Sequence, residues 1–135
     1  MRGSTATGTV ASFWTAGQLA DSLLAGDPAA DCLTFGRPVD RAELRALVAE
    51  QAAALRTAGL APGGAVALQM PPSLAFVAAL LAGWSVDAQV SLLDHRLTEA
   101  ETHRALDRVG AQVVVTGADV VASKTRGYAG SASAR

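Results

Sequence analysis

The chain has 135 residues, half of them hydrophobic, so its length and composition fit one compact domain with a buried core. Eleven basic and twelve acidic residues leave a net charge of −1 without a basic cluster, which argues against a nucleic-acid partner. The single cysteine, Cys32, cannot form an internal disulfide, and the first residues lack the apolar stretch of a secretory signal. We therefore expect a cytoplasmic location.

The longest uncharged segment, residues 57–86, does not predict a membrane span. Pro62, Gly63, Gly64, Pro71 and Pro72 divide it, and too few apolar residues follow Pro72 to cross ~30 Å of hydrocarbon as a helix. We interpret the segment as a buried strand followed by a buried helix.

The N-terminal third predicts two helices around a small hairpin. Residues 1–11 are small and polar and are expected to be disordered. The apolar spacing in residues 14–25 predicts a short surface helix, and residues 33–39 predict a strand and a turn that can form a hairpin. Asp40 is a good N-cap for a second helix, with Glu43 placed to complete a capping box and Gly59 placed as a left-handed C-cap.

The middle of the chain alternates strands and helices with short connections. The predicted elements are strands at 65–70, 89–93 and 111–116 and helices at 73–84 and 98–109. Such alternation is typical of right-handed parallel crossovers, so we predict an α/β fold in which helices flank a parallel sheet. The apolar side of the first of these helices is predicted to consist of Leu74, Val77, Leu81 and Trp84. Residues 98–101 are predicted to form a capping box for the second helix, and Gly110 to end it.

The end of the chain changes character after the last of these strands. Residues 117–122 could begin a helix, whereas residues 123–135 are small, polar and aperiodic and are expected to be a disordered tail. The predicted organisation is therefore one α/β subdomain at 12–122 between a disordered N-terminus and a disordered tail.

The order of these segments resembles the N-terminal part of the adenylate-forming superfamily, which includes acyl-CoA synthetases. VDRAEL at 39–44 looks like the family's Leu-Thr-Tyr-x-Glu-Leu, with Arg41 replacing the aromatic residue. GLAPGGAVA at 59–67 is similar to its Gly-Leu-x-Pro-Gly-Asp-x-Val-Ala. Residues 80–97 are similar to its small-residue helix, glycine, strand and Asp-x-Arg-Leu, although Ser91-Leu92 replaces the usual Val-Pro.

The resemblance implies the first subdomain of a longer acyl-CoA ligase, which adenylates a carboxylate with ATP and then forms a thioester with CoA. In that family the phosphate loop, the adenine-contacting segment, the magnesium-binding Glu and the catalytic Lys are all expected beyond the position that corresponds to Arg135. The complete enzyme would thus use ATP, Mg and CoA, whereas this chain alone is expected to bind none of them and to be inactive. The acyl substrate cannot be read from these residues.

The resemblance leaves open which partner this chain has and which role it plays. The chain would need the remainder of the ligase or a companion chain, or it would self-associate, because a parallel sheet requires cover on both faces. The alternative is a non-catalytic interaction or scaffold module derived from a truncated ligase. Truncation of a longer protein is a third explanation, and whether the chain itself is an enzyme stays open.

Arg96 is the one candidate binding residue. In acyl-CoA synthetases an arginine in the matching Asp-x-Arg-Leu position can contact the CoA phosphates, and a guanidinium suits phosphate through its forked donors. The alternative is an ordinary salt bridge with Asp94 or Glu99. We predict no catalytic residue in this chain.

Other residues that could carry chemistry are interpreted structurally. His95 and His103 lack companions at ligand spacing, so no metal site is predicted. Gly63-Gly64 is interpreted as a tight turn, because a phosphate loop would follow a strand and open a helix. Trp14 and Trp84 are interpreted as core or interface aromatics and Cys32 as an inert thiol.

Overall fold

The computed structural model describes residues 15–117 and 119–123. The predictions made for residues 1–14, including Trp14, and for residues 124–135 lie outside the described part of the chain. Within it, no helix is both long enough and apolar enough to cross a membrane.

The described residues form four helices and six strands. In chain order these are α1 (Ala16–Leu24), β1 (Asp31–Thr34), β2 (Pro38–Asp40), α2 (Arg41–Thr57), β3 (Ala65–Leu68), α3 (Leu74–Ser85), β4 (Gln89–Leu92), α4 (Glu99–Val109), β5 (Ala111–Thr116) and β6 (Asp119–Ala122). Strands β1 and β2 pair as an antiparallel hairpin, as the sequence predicts.

The other four strands form one sheet in the order β4-β3-β5-β6. Strand β3 lies in its interior and pairs in parallel with both β4 and β5, so that Val66 is opposite Val90 on one side and Val113 on the other. The predicted parallel α/β arrangement is therefore confirmed.

The prediction of a helix after Gly117 is wrong. Gly117 has a φ of 55°, a left-handed conformation that turns the chain back immediately after β5. Strand β6 then runs antiparallel to β5, with Val120 opposite Val115 and Val121 opposite Val114. The two β-branched valines are half-buried and suit a strand better than a helix.

The helices cover opposite faces of the sheet. Val66 and Leu68 of β3 belong to the large core cluster that contains α2 and α3. Ala67, which lies between them, faces the other way and packs with Leu106 of α4 and Val114 of β5. This placement follows from topology, because β4 and β5 lie on opposite sides of β3 and both crossovers are right-handed.

Small residues let α3 approach its neighbours closely. The predicted apolar side of α3 does contribute Leu81, but its other buried residues are all small: Ala78, Ala79, Ala82 and Gly83. A Cβ on Gly83 would lie only 2.8 Å from Cγ2 of Val90 in β4. Glycine at this position therefore permits the observed distance between α3 and the sheet.

The helix ends agree with the predicted caps except at α2. Its C-cap is Ala58 in a right-handed conformation, and Gly59, the predicted left-handed cap, follows it with a φ of 101°. Thr98 and Glu101 form the predicted capping box, and Gly110 is left-handed with a φ of 66°. Asp40 caps α2 by accepting a hydrogen bond from the Glu43 backbone N–H. The Glu43 carboxylate, however, binds the guanidinium of Arg37 instead of reaching back to the cap. A paired cation gives a carboxylate a stronger hydrogen bond than a neutral amide does.

Candidate functional site

Strands β3 and β4 pair in parallel, so their carboxyl ends lie side by side at one end of the sheet. The connections that follow them diverge, and such an arrangement forms a crevice. The chain leaves β3 toward α3 on one face of the sheet and leaves β4 toward α4 on the other face. Adjacent parallel strands whose connections diverge in this way create a topological switch point, where open α/β sheets bind their ligands. This end of the sheet is therefore the candidate functional site.

Two short segments supply polar groups to this crevice. Gln69 directly follows β3, and its backbone N–H donates to the carbonyl of Val115 at 2.9 Å, which continues the sheet pairing by one residue. Residues 94–96 follow β4 and bring Asp94, His95 and Arg96 to the same end of the sheet. The Leu93 N–H donates to the Leu68 carbonyl at 2.8 Å and so holds the start of this second segment against β3.

Asp94 and Arg96 form a bidentate ion pair. The Arg96 guanidinium donates through Nε to Oδ1 and through Nη2 to Oδ2, both at 3.0 Å. The Arg96 backbone N–H also donates to Oδ1 at 2.9 Å. These hydrogen bonds from the Arg96 side chain and backbone lower the pKa of Asp94 to about 2. The predicted salt bridge is therefore present, with Asp94 rather than Glu99 as its partner.

The ion pair leaves most of Arg96 available to a ligand. Its side chain is 79% exposed. A guanidinium has five N–H donors, and only two of them are used by Asp94, so three have no protein acceptor among residues 15–117 and 119–123. Arg96 can thus bind an anion while it stays oriented by Asp94.

Gln69 is a site residue that sequence reasoning missed. Its side-chain Nε2 donates to the Asp94 carbonyl at 3.2 Å and to the Thr102 hydroxyl oxygen of α4 at 2.8 Å. Thr102 is buried, with 5% exposure. A glutamine that interrupts an apolar strand was the available signal, because a polar side chain at that position must find partners.

The structure also bears on the metal-site and phosphate-loop candidates. The described residues contain no group of three or more His, Cys, Asp or Glu side chains that could hold a metal ion. Gly63-Gly64 forms a tight turn, with Gly63 at a φ of 76° and the Gly64 N–H bonded to the Ala61 carbonyl at 2.8 Å. That turn precedes β3 and so lies at the opposite end of the strand from the crevice.

A separate apolar cavity of about 260 Å³ lies between α1, the hairpin, α2 and α3. Trp84 and Cys32 are half-buried in its wall, together with six aliphatic side chains from these elements. The Cys32 sulfur lies 3.7 Å from the Val39 carbonyl oxygen. No charged group lines the cavity, which therefore offers packing surface and no acid–base chemistry.

Comparison with known proteins places the chain in a family. The sequence model described as AMP-binding enzyme matches residues 23–133. The fold is similar to the N-terminal domain of FACL13 from Mycobacterium tuberculosis, with a TM-score of 0.69 and 25% identity over 78% of this chain and 28% of that chain. It is also similar to MatB from Rhodopseudomonas palustris, with a TM-score of 0.71 and 25% identity over 89% of this chain and 24% of that chain.

A third similar structure is a fatty acyl CoA synthetase from Mycobacterium tuberculosis. It is 31% identical over 60% of this chain and 16% of that chain, with a TM-score of 0.55. None of the curated proteins matches significantly. The chain spans about a quarter of the length of FACL13's N-terminal domain and of MatB. Because the family's sequence model matches most of the chain, this protein belongs to the AMP-binding enzymes and corresponds to the N-terminal part of an adenylate-forming enzyme.

Proposed function

We propose that this chain is the N-terminal part of an acyl-CoA ligase, which adenylates a carboxylate with ATP and then transfers the acyl group to CoA. In that enzyme Arg96 binds a phosphate of CoA. The observation that carries the proposal is the position of Arg96, exposed at the switch point of the sheet with three unused donors.

The ion pair with Asp94 supports this role for Arg96. A free arginine side chain loses conformational entropy when it binds a ligand. Asp94 already restricts Arg96 through three hydrogen bonds, which lowers that cost. The pair also reduces the net charge of the site, so recognition would depend on directed N–H donors more than on long-range attraction.

The rest of the reaction belongs to other parts of the enzyme. ATP is the adenylating substrate, and Mg would neutralise its phosphates. The described residues provide no cluster that fits a metal ion, so no step of adenylation is assigned to them. Within the complete enzyme the chain supplies a scaffold and one CoA contact, and alone it should be inactive. Its cytoplasmic location stays a prediction.

The test compares the chain alone with the chain joined to the remainder of the ligase. Carboxylate-dependent pyrophosphate exchange reports adenylation, and thioester formation reports transfer to CoA. We expect neither activity from the chain alone and both from the complete enzyme. If the complete enzyme shows neither, the proposal fails and the non-catalytic interaction module becomes the better explanation.

The role of Arg96 is tested in the complete enzyme with Arg96→Ala. Hydrogen bonds to charged groups contribute about 1.5–3 kcal/mol, so the KM for CoA should rise roughly 10- to 100-fold while pyrophosphate exchange is unchanged. Arg104→Ala is the matched control, because Arg104 is also an exposed arginine but lies on α4. An unchanged CoA dependence in Arg96→Ala would reject this contact.

A further inference from the structure

Gln69 connects three parts of the crevice that are distant in the chain. Its backbone is held by Val115 of β5, while one side-chain nitrogen binds both the Asp94 carbonyl and the Thr102 hydroxyl. The amide therefore fixes the residue that follows β4 relative to the end of β3 and to α4.

The Asp94 carbonyl also takes part in the turn that carries Arg96. It accepts a second hydrogen bond, from the Leu97 N–H at 3.3 Å, which closes a turn over residues 94–97. Inside that turn the Asp94 carboxylate holds the Arg96 backbone and guanidinium. Gln69 thus donates to the Asp94 backbone, and Arg96 donates to the Asp94 side chain.

Apart from the hydrogen bond between the Leu93 N–H and the Leu68 carbonyl, which lies one residue before Asp94, little else orients this turn. Asp94, His95 and Arg96 are all exposed, so packing restrains them weakly. Gln69 itself is half-buried, and its partner Thr102 is buried, so the amide lies in a restrained environment. A restrained side chain such as Gln69 can therefore determine where the donors of the exposed segment that it holds point.

We propose that Gln69 is a positioning residue that sets the orientation of Arg96 through the backbone of Asp94. The consequence for CoA rests on the proposed function of Arg96: when Gln69 cannot hold the turn, the KM for CoA should rise while adenylation is unaffected. Gln69 would thus affect CoA recognition without touching CoA itself.

The test separates this role from a simple contribution to folding. Thr102→Val removes the hydroxyl but leaves the Gln69 bond to Asp94. The double variant Gln69→Met/Thr102→Val also removes that bond, and it replaces both partners of the buried hydrogen bond with apolar groups of similar size, which limits the loss of stability. The difference between the two variants therefore reports the bond from Gln69 to Asp94. Thermal unfolding checks that both are folded.

The first readout is the pKa of Asp94, measured by carbon-detected NMR titration of the 135-residue chain. A loosened turn weakens the bonds from Arg96, so the pKa of Asp94 should rise from about 2 toward its ordinary value of 3.8 in the double variant and stay near 2 in Thr102→Val. Equal values in the two variants would overturn the positioning role. If the double variant does not fold, Gln69→Leu serves instead, because its side chain cannot donate to the Asp94 carbonyl and adds no charge beside the Asp94 carboxylate.

The second readout is the KM for CoA in the complete ligase. The double variant should raise it roughly tenfold over Thr102→Val, the cost of ordering one flexible side chain. If Arg96→Ala raises the KM but the double variant does not, the positioning role is overturned and the CoA contact survives. If the pKa of Asp94 shifts as expected while Arg96→Ala leaves the KM unchanged, Gln69 still orients Arg96 and the proposed CoA contact is the part that fails.

Discussion

Asp94 and Arg96 pair at the protein surface, where the strength of an ion pair depends on pH and salt. The folded protein lowers the pKa of Asp94 to about 2, below its ordinary value of 3.8. A carboxylate with a lowered pKa contributes its stabilisation above the ordinary pKa and loses it as the pH falls through the folded value. The contribution of the pair to stability should therefore be complete at neutral pH and be lost as the pH falls from about 4 to about 2, where half of the Asp94 carboxylates are protonated.

The first prediction concerns this pKa. Arg96→Ala should raise the pKa of Asp94 from about 2 toward 3.8, because the guanidinium donates the bonds with the largest effect. Carbon-detected NMR titration measures it. Arg104→Ala should leave the value near 2, and added salt should raise it slightly in the unaltered chain by screening the pair. A pKa that stays near 2 in Arg96→Ala would show that other groups hold the carboxylate ionised.

The second prediction concerns close packing at Gly83. In Gly83→Ala the new methyl group would lie 2.8 Å from Val90 Cγ2, and a β-branched side chain on a strand cannot move aside easily. We expect the free energy of unfolding to fall by about 1 kcal/mol, the cost of overpacking less the gain in helix propensity.

Chemical denaturation of a double-mutant cycle tests the cause of that loss. In the Val90→Ala background the same Gly83→Ala change should stabilise the protein by about 1 kcal/mol, because the obstructing methyl group is gone and only the gain in helix propensity remains. This corresponds to a coupling of about 2 kcal/mol between the two positions. Additive effects would mean that the clash with Val90 is not responsible.

At the scale of single elements, local signals predicted helices better than strand ends. The caps at Asp40, Thr98 and Gly110 lie within one turn of the residues they serve, so the sequence contains both partners. Strand β6 was missed because its hydrogen bonds are made with β5, and the sequence of residues 119–122 does not indicate that partner. Strands depend on partners that local sequence does not include.

The third prediction concerns the start of α4. Thr98→Ala should reduce the free energy of unfolding by about 1 kcal/mol, because the Thr98 hydroxyl accepts the Glu101 N–H bond. Thr98→Ser retains an oxygen at that position and is the matched control. Hydrogen exchange of the Glu101 amide should become faster in the alanine variant and not in the serine variant. Unchanged exchange would show that the hydroxyl does not cap the helix.

At the scale of the whole molecule, the described residues leave a few large apolar side chains exposed. They are Leu19 and Leu23 on α1, Phe35 in the hairpin and Leu92 on β4, of which Leu92 is the most exposed at 60%. Strand β4 is also an edge of the sheet, where unpaired backbone groups favour pairing with another chain. The expectation that this chain needs a companion or self-associates stays a prediction.

The fourth prediction tests that expectation by analytical ultracentrifugation. The 135-residue chain alone should sediment with concentration-dependent association, and Leu92→Lys should reduce it by placing a charge at the sheet edge. Ser22→Lys is the control for a general effect of added charge, because Ser22 is an exposed polar residue on α1. A stable monomer that binds no hydrophobic dye would argue against an exposed docking surface.

The sequence by itself determined the α/β class, the three parallel strands, the N-cap of α2 and the caps of α4, and the family, because each of these depends on residues close together in the chain or on their order. Only the tertiary structure decided which side chains meet. Glu43 binds Arg37 rather than its own helix cap, residues 119–122 pair with β5, and Gln69 reaches Thr102, 33 positions away. The physical reason is that each of these contacts depends on how separate elements pack, and periodicity along the chain does not contain that information.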